Sequence, residues 1–228
     1  MSATSFRARF DAMVAELRAH PQVEIYELHV RPSATNVALR EAEARLGRPL
    51  PADLLEFYRA HDGVFLEWGL RGHEYQCKTA PYEYPDYSQP PGCINLLPVD
   101  LAVSATWEQD YHVNEIQPDH WIHLYGSVPD PLPEFGSICV DNFSKYNHGD
   151  LILGPEPVMV VSTDHGADMD SSDFTSFATY LDMTLAIYGL NRYEHGLGIG
   201  WTRKSQRVDA WTQRAPLDQW IAGLLAEA

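Results

Sequence analysis

The spacing of apolar residues along the chain separates segments of helical period from segments of strand period. Apolar residues at three- and four-residue steps predict an amphipathic helix over residues 3–19. The next segment, VEIYELHV at residues 23–30, follows Pro21 and has the looser alternation of a strand. The N-terminal part of the chain is therefore predicted to be a helix followed by a strand.

Two short helices joined by a tight corner are predicted next. Ser33 or Thr35 can cap a helix that ends at Gly47, because glycine readily adopts the left-handed conformation of a helix stop. Pro51 suits the first turn of a second helix, where its missing N–H costs nothing, and Gly63 ends that segment. The corner between the two helices has the sequence GRPLP, and Leu50 is expected to be buried there.

The middle of the chain differs in composition and in the length of its apolar runs. Residues 69–92 are rich in Tyr, Pro and Gly, which predicts a long loop. CINLLPVD is predicted to be a strand and residues 104–116 a helix. Four short apolar runs bounded by Gly, Pro or Asp then follow, HWIHLYGSV, GSICVDNF, GDLILG and PVMVVST. Such a succession of short apolar runs separated by turn residues is typical of an antiparallel meander.

The C-terminal part is predicted to be helical again. Ser172 or Asp173 can cap a helix over residues 174–189, and a last helix is expected near residues 215–228. The order of elements predicts an α+β fold in which helices flank a mainly antiparallel sheet. We expect an N-terminal helix and strand in residues 1–32, packed on a domain of residues 33–190, and a C-terminal extension in residues 191–228.

Charge is distributed unevenly along the chain. The formal net charge is −16, and residues 79–191, which we call the acidic segment, contain seventeen acidic residues but one basic residue, Lys145. The formal charges of the remaining residues sum to zero. A field of this sign repels nucleic acid and anionic membranes and speeds encounter with a basic protein. The alternative is that a negative surface simply keeps the protein in solution.

The cysteines and the N-terminal segment predict a cytoplasmic protein. Cys77, Cys93 and Cys139 are widely spaced and form no C-x-x-C pair, which indicates reduced thiols rather than disulfides or a zinc site. The first residues lack the apolar core of a secretory signal, and no run of 18 apolar residues occurs.

The sequence contains no clear catalytic or metal-binding pattern. His120 and His123 lie three apart on a predicted strand and so point to opposite faces. The Asp-rich stretch around Asp164, His165 and Asp168 lacks the spacing of an EF-hand. We expect no metal, no cofactor and no enzyme activity, although a Cys/His nucleophile pair that meets only in space stays possible.

Several segments in order resemble a known family. EAEARLG, RPLP, ADLLEFYRAHDG and VFLEWG, followed by INLLPVD and by the closing strands and helix, resemble the SUKH superfamily of Smi/Knr-type cell-wall regulators and bacterial immunity proteins. The chain departs from the family pattern at His61-Asp62-Gly63-Val64, where Asn-Gly-Gly is more usual. The resemblance implies a SUKH-like α+β fold over about residues 33–188 and binding of a toxin domain without catalysis.

Charge and resemblance together predict a non-catalytic immunity protein that neutralises a basic or nuclease-like toxin domain. Tyrosines supply rigid contact area and acids supply partners for Arg and Lys. The predicted partner-binding residues are Tyr82, Glu83, Tyr84, Asp86, Tyr87, Asp110, Asp130, Asp164, Asp168 and Asp170. The alternatives are a cytosolic regulatory scaffold for another protein and a metal-dependent hydrolase.

Overall fold

The computed structural model describes residues 3–75, 79–83, 90–104, 137–144, 147–154, 156–163, 175–192 and 216–227. These residues form six strands and six helices. The strands are β1 (Val23–Val30), β2 (Val64–Leu70), β3 (Gly92–Leu96), β4 (Ser137–Asp141), β5 (Asn147–Ile152) and β6 (Val158–Thr163). The helices are α1 (Ala3–Ala19), α2 (Asn36–Leu46), α3 (Ala52–Ala60), α4 (Val99–Ala102), α5 (Phe177–Ala186) and α6 (Leu217–Glu227).

The strands form one antiparallel sheet in the order of the sequence, β1-β2-β3-β4-β5-β6. The sheet is narrowest in the middle, where β3 and β4 are paired through Leu96 and Asp141. Helices flank this sheet, so the predicted α+β class is confirmed. β2 was not predicted as a strand, because every residue of VFLEWGL is buried, Glu67 included, and no alternation of polar and apolar residues marks the segment.

The ends of α2 follow the predicted capping. The Thr35 hydroxyl accepts a hydrogen bond from the Ala38 N–H at 3.1 Å, and Gly47 has a φ of 65° at the other end. The GRPLP corner is pinned by Leu50, which is buried as predicted. Pro51 sits at the N-cap of α3, one position before the predicted first turn.

The predicted start of α5 is wrong. Neither Ser172 nor Asp173 caps this helix, because its N-cap is Ser176, whose hydroxyl accepts a hydrogen bond from the Thr179 N–H at 3.1 Å. Thr175 exchanges two backbone hydrogen bonds with Met159 of β6. The chain is therefore held in an extended conformation at Thr175 and turns helical only after it.

A single core cluster joins the N-terminal helix, the sheet and the C-terminal helix. Phe6, Phe10 and Met13 of α1 are buried in it, and so are Leu217 and Ile221 of α6. β1 is a strand of the same sheet. None of the helices in the described ranges is long and apolar enough to cross a lipid bilayer.

Trp68 is the largest fully buried side chain among the described residues, and the backbone of β3 approaches its ring closely. The indole Nε1–H donates a hydrogen bond to the Tyr188 carbonyl at 2.7 Å. A Cβ atom added at Gly92 would lie 1.9 Å from the same nitrogen. The glycine is therefore required by the close approach of β3 to the indole.

We expect Gly92→Ala to lower the free energy of unfolding by about 2–3 kcal/mol, because the indole cannot move without losing its hydrogen bond. Gly223→Ala in α6 is the matched control, since a Cβ there would meet no atom within 4 Å. The control should raise stability by up to about 1 kcal/mol, because alanine favours the helix. Equal denaturation midpoints for the two variants would contradict this account of the core.

Candidate protein-binding surface and its buried support

One face of the sheet carries Tyr82 and Glu83, the two predicted partner-binding residues that lie in the described ranges. His29, Phe65 and Asn95 lie opposite one another on β1, β2 and β3, so their side chains share a face. The Tyr82 ring lies on that face, with its centroid 5.5 Å from the His29 ring and 6.4 Å from the Phe65 ring. We call this face, marked by Phe65, Glu67 and Asn95, the loop face.

Asn95 and Glu67 hold the backbone of residues 79–83 against the loop face. Asn95 Oδ1 accepts the Tyr82 N–H at 3.2 Å, while Asn95 Nδ2 donates to the Glu83 carbonyl at 3.0 Å. The fully buried Glu67 accepts the Thr79 N–H at 2.9 Å through Oε1. Three hydrogen bonds to two buried side chains therefore hold this short segment in one conformation.

Within this segment the Tyr82 side chain packs on the loop face, whereas the Glu83 side chain is exposed. Tyr82 has a φ of 65°, an uncommon backbone conformation for an aromatic residue. Its ring is partly buried, and burial raises the pKa of its hydroxyl to about 12 despite the nearby Arg31. Glu83 is exposed to solvent. Of the two, Glu83 is the side chain that presents charge to a partner.

Arg31 reduces the negative charge beside the loop face. Its guanidinium carbon lies 5.8 Å from the centre of the Tyr82 ring, and its Nη2 lies 3.1 Å from Asp62 Oδ2. The other oxygen of Asp62 accepts the Val99 N–H at the start of α4, at 2.9 Å. Asp62 thus links Arg31, the residue after β1, to the start of α4, and the ion pair neutralises part of the Arg31 charge.

A fully buried carboxylate lies beneath Asn95. Asp141 Oδ1 accepts the Asn95 backbone N–H at 2.9 Å, and Oδ2 accepts the Tyr180 hydroxyl at 2.8 Å. Arg192 completes the set, with its Nη2 2.6 Å from the same Oδ2. Burial, followed by the Asp141 charge, raises the pKa of the Tyr180 hydroxyl, so this group stays protonated and donates.

Arg192 fastens the chain after α5 to the sheet. Burial lowers the pKa of the Arg192 guanidinium, but the adjacent Asp141, with smaller contributions from Tyr180 and Cys93, outweighs that effect, and the pKa is raised. Its Nη1 donates to the carbonyls of Cys93 and Gly189, and its guanidinium carbon lies over the Phe143 ring, 4.2 Å from the ring centroid. The Arg192 charge is therefore paired with Asp141 in the interior, while its Nε–H has no hydrogen-bond partner among the described residues.

A second buried polar group brings a cysteine, a histidine and an aspartate together on β4 and β5. His148 Nε2 lies 3.0 Å from Asp150 Oδ2, and Cys139 is paired with Asp150 across the two strands. Burial, the carboxylates of Asp150 and Asp141 and a hydrogen bond to Asp150 raise the pKa of the Cys139 thiol well above its ordinary value. A nucleophilic thiolate needs the opposite shift.

The predicted acidic surface is smaller than the sequence count. Six of the seventeen acids between residues 79 and 191 lie in the described ranges: Glu83, Asp100, Asp141, Asp150, Glu156 and Asp182. Asp141 and Asp150 are in the core, and Asp182 pairs with Arg9 of α1. Glu83, Asp100 and Glu156 remain exposed.

Most residues of the predicted site lie outside the described ranges. This holds for Tyr84, Asp86, Tyr87, Asp110, Asp130, Asp164, Asp168 and Asp170, and also for His120, His123 and His165 of the metal alternative. Within the described ranges no group of three or more His, Cys, Asp and Glu side chains could hold a metal ion.

The sequence analysis missed Asn95, Asp141 and Arg192. Each has a weak local signal, since Asn95 and Asp141 interrupt apolar strands and Arg192 follows a long stretch with almost no basic residues. A polar residue inside an apolar strand indicates a buried hydrogen-bonding role. The sequence does not say which partner each residue finds.

Comparison with known proteins adds no relative. No protein-family model matches the chain, and no curated protein sequence matches it significantly.

We expect Asp141→Asn to lower the free energy of unfolding by about 3–5 kcal/mol, because it leaves the buried charge of Arg192 without a counter-ion. Asp182→Asn is the matched control, since it breaks a partly exposed ion pair with Arg9. The control should cost at most about 1 kcal/mol. Urea denaturation of both variants measures the difference, and similar losses would refute the assigned role of Asp141.

Proposed function

We propose that this chain is a non-catalytic bacterial immunity protein that binds and neutralises a basic, nuclease-like toxin domain in the cytoplasm. The observation that carries the proposal is the Thr79–Glu83 segment, which is fastened to the loop face and leaves Glu83 exposed. A charged group on a pre-ordered backbone binds with a smaller entropy loss than one on a free loop.

The sign of the charge supports a basic partner. Residues 79–191 carry a formal charge of −16, and the exposed acids among them can pair with Arg and Lys of a protein. A nuclease uses such side chains to hold phosphates, so an acidic inhibitor competes for the same groups. The resemblance to the SUKH superfamily supports the same role, since its bacterial members include immunity proteins.

The buried thiols support a role without covalent catalysis. Burial raises the pKa of both Cys93 and Cys139 well above the ordinary value, so both stay protonated at neutral pH. The Cys139–His148–Asp150 group, the described set that most resembles catalytic residues, is buried. These features favour binding over hydrolysis.

Co-expression tests the proposal directly. The probe is the C-terminal domain of the protein encoded beside this chain's gene, produced in cells with and without the full chain. Rescue of growth together with a stable purified complex supports immunity. Growth arrest that the chain does not relieve, with no complex formed, contradicts it.

We expect Glu83→Lys to slow association with the toxin domain by roughly tenfold at low ionic strength, because it reverses a steering charge on the loop face. The loss should shrink at about 1 M salt, where the screening length is about 3 Å. Glu41→Lys is the matched control, because Glu41 is an exposed acid of α2 outside the acidic segment. Stopped-flow or surface-based kinetics give both rates, and equal rates for the two variants count against the loop face.

A further inference from the structure

The first strand of the sheet has one edge that no described strand pairs with. β1 lies at one end of the strand order and is the longest described strand, with eight residues. It pairs with β2 on one side, and no strand in the described ranges pairs with its other side. A row of backbone groups on such an edge can accept another strand.

The register shows which backbone groups face outwards. Hydrogen-bonded and non-hydrogen-bonded pairs alternate in an antiparallel ladder. The Arg31 N–H donates to the Gly63 carbonyl at 3.1 Å, so His29 and Glu27 also point their backbone groups towards β2. The N–H and C=O groups of Leu28 and Val30 therefore point away from the sheet.

The other end of β1 follows the same rule. The Arg71 N–H donates to the Gln22 carbonyl at 2.7 Å, which turns the backbone of Val23 and Ile25 outwards. Arg71 Nη2 already occupies the Val23 carbonyl at 3.1 Å. The outward-facing backbone groups on this edge are thus those of Ile25, Leu28 and Val30, on the two sides of the irregularity in register between Ile25 and Glu27.

The side chains of this edge carry negative charge. Glu24, Glu27 and His29 are exposed on the loop face, whereas Val23, Ile25, Leu28 and Val30 face the other side with Trp68 and Leu66. The exposed acids lie in the part of the chain that the sequence analysis considered neutral overall. The edge is continuous with the segment proposed to bind the partner, because the Tyr82 ring packs on His29.

The charges select among possible occupants. If two copies paired through this edge in a register centred on Ile25 and Tyr26, Glu24 of each would face Glu27 of the other. Like charges directly opposite each other are destabilising, whereas opposite charges contribute roughly 0.2–1 kcal/mol per pair. In this register the edge disfavours self-association, and its exposed acids favour an added strand that carries Lys or Arg.

We propose that the outer edge of β1 takes up an extended, Lys- or Arg-bearing segment of the protein partner as an added strand. Main-chain hydrogen bonds to Leu28 and Val30 provide the docking, and Glu24 and Glu27 pair with the basic side chains. The sign of the partner's charge rests on the proposed function, but the docking mode does not depend on immunity.

Synthetic peptides test the proposal on the intact chain. The first probe is an eight-residue acetylated and amidated peptide of alternating Lys and Thr. The second has the same sequence with alternate amides N-methylated, which blocks strand pairing and keeps the charge. The third replaces each Lys by Glu. Each is titrated to millimolar concentration into the isotope-labelled protein, and amide chemical shifts and hydrogen exchange are recorded.

We expect the first peptide alone to shift the amides of residues 23–30. Exchange at Leu28 and Val30 should slow by roughly tenfold when the peptide is at ten times its dissociation constant. The double variant Glu24→Lys, Glu27→Lys changes two exposed side chains. It should lose this response to the Lys peptide and gain it with the Glu peptide.

Four outcomes would overturn the proposal. They are no response at millimolar Lys peptide, an equal response to the N-methylated peptide, an equal response of the unmodified protein to the Glu peptide, and protection of the same amides by self-association without peptide. Each leaves the immunity function standing if the toxin domain is still neutralised. Conversely, failure to rescue growth leaves a positive peptide result intact.

Discussion

The buried ion pair between Asp141 and Arg192 is the interaction on which the loop face depends. Asp141 fixes the backbone of Asn95, and the Asn95 side chain fixes the backbone of Tyr82 and Glu83. A buried pair of this kind adds little net stability, because desolvation of both charges offsets their attraction. Its consequence is geometric, since the matched hydrogen bonds around Asp141 allow one arrangement of β3, β4 and the chain after α5.

The structure changes how the acidic character of the chain is to be understood. Two acids of the acidic segment balance charges or polar groups in the interior, and a third is paired with Arg9. The negative surface available to a partner is therefore smaller than the composition implies in that segment. It is also extended by Glu24 and Glu27 of β1, which composition assigned to a neutral region. The positions of the exposed acids in the structure, rather than the sum of the charges, determine which surface a basic partner contacts.

Periodic elements could be predicted from the sequence, and long-range contacts could not. The bounds of α1 and the caps of α2 follow from local spacing and from Thr35 and Gly47. β2 escaped prediction because a strand buried on both faces has no alternation. The start of α5 was misplaced because Thr175 pairs with β6. Asn95, Asp141 and Arg192 meet across 46 and 51 residues, a separation that no local pattern reports.

Hydrogen exchange on the complex with the cognate toxin domain tests the central claim most directly. The account predicts slowed exchange at residues 79–83 on the loop face and along β1, with α2 unchanged. Protection of α2 or α3 with no change at residues 79–83 and in β1 would contradict it, because the partner would then bind a different surface.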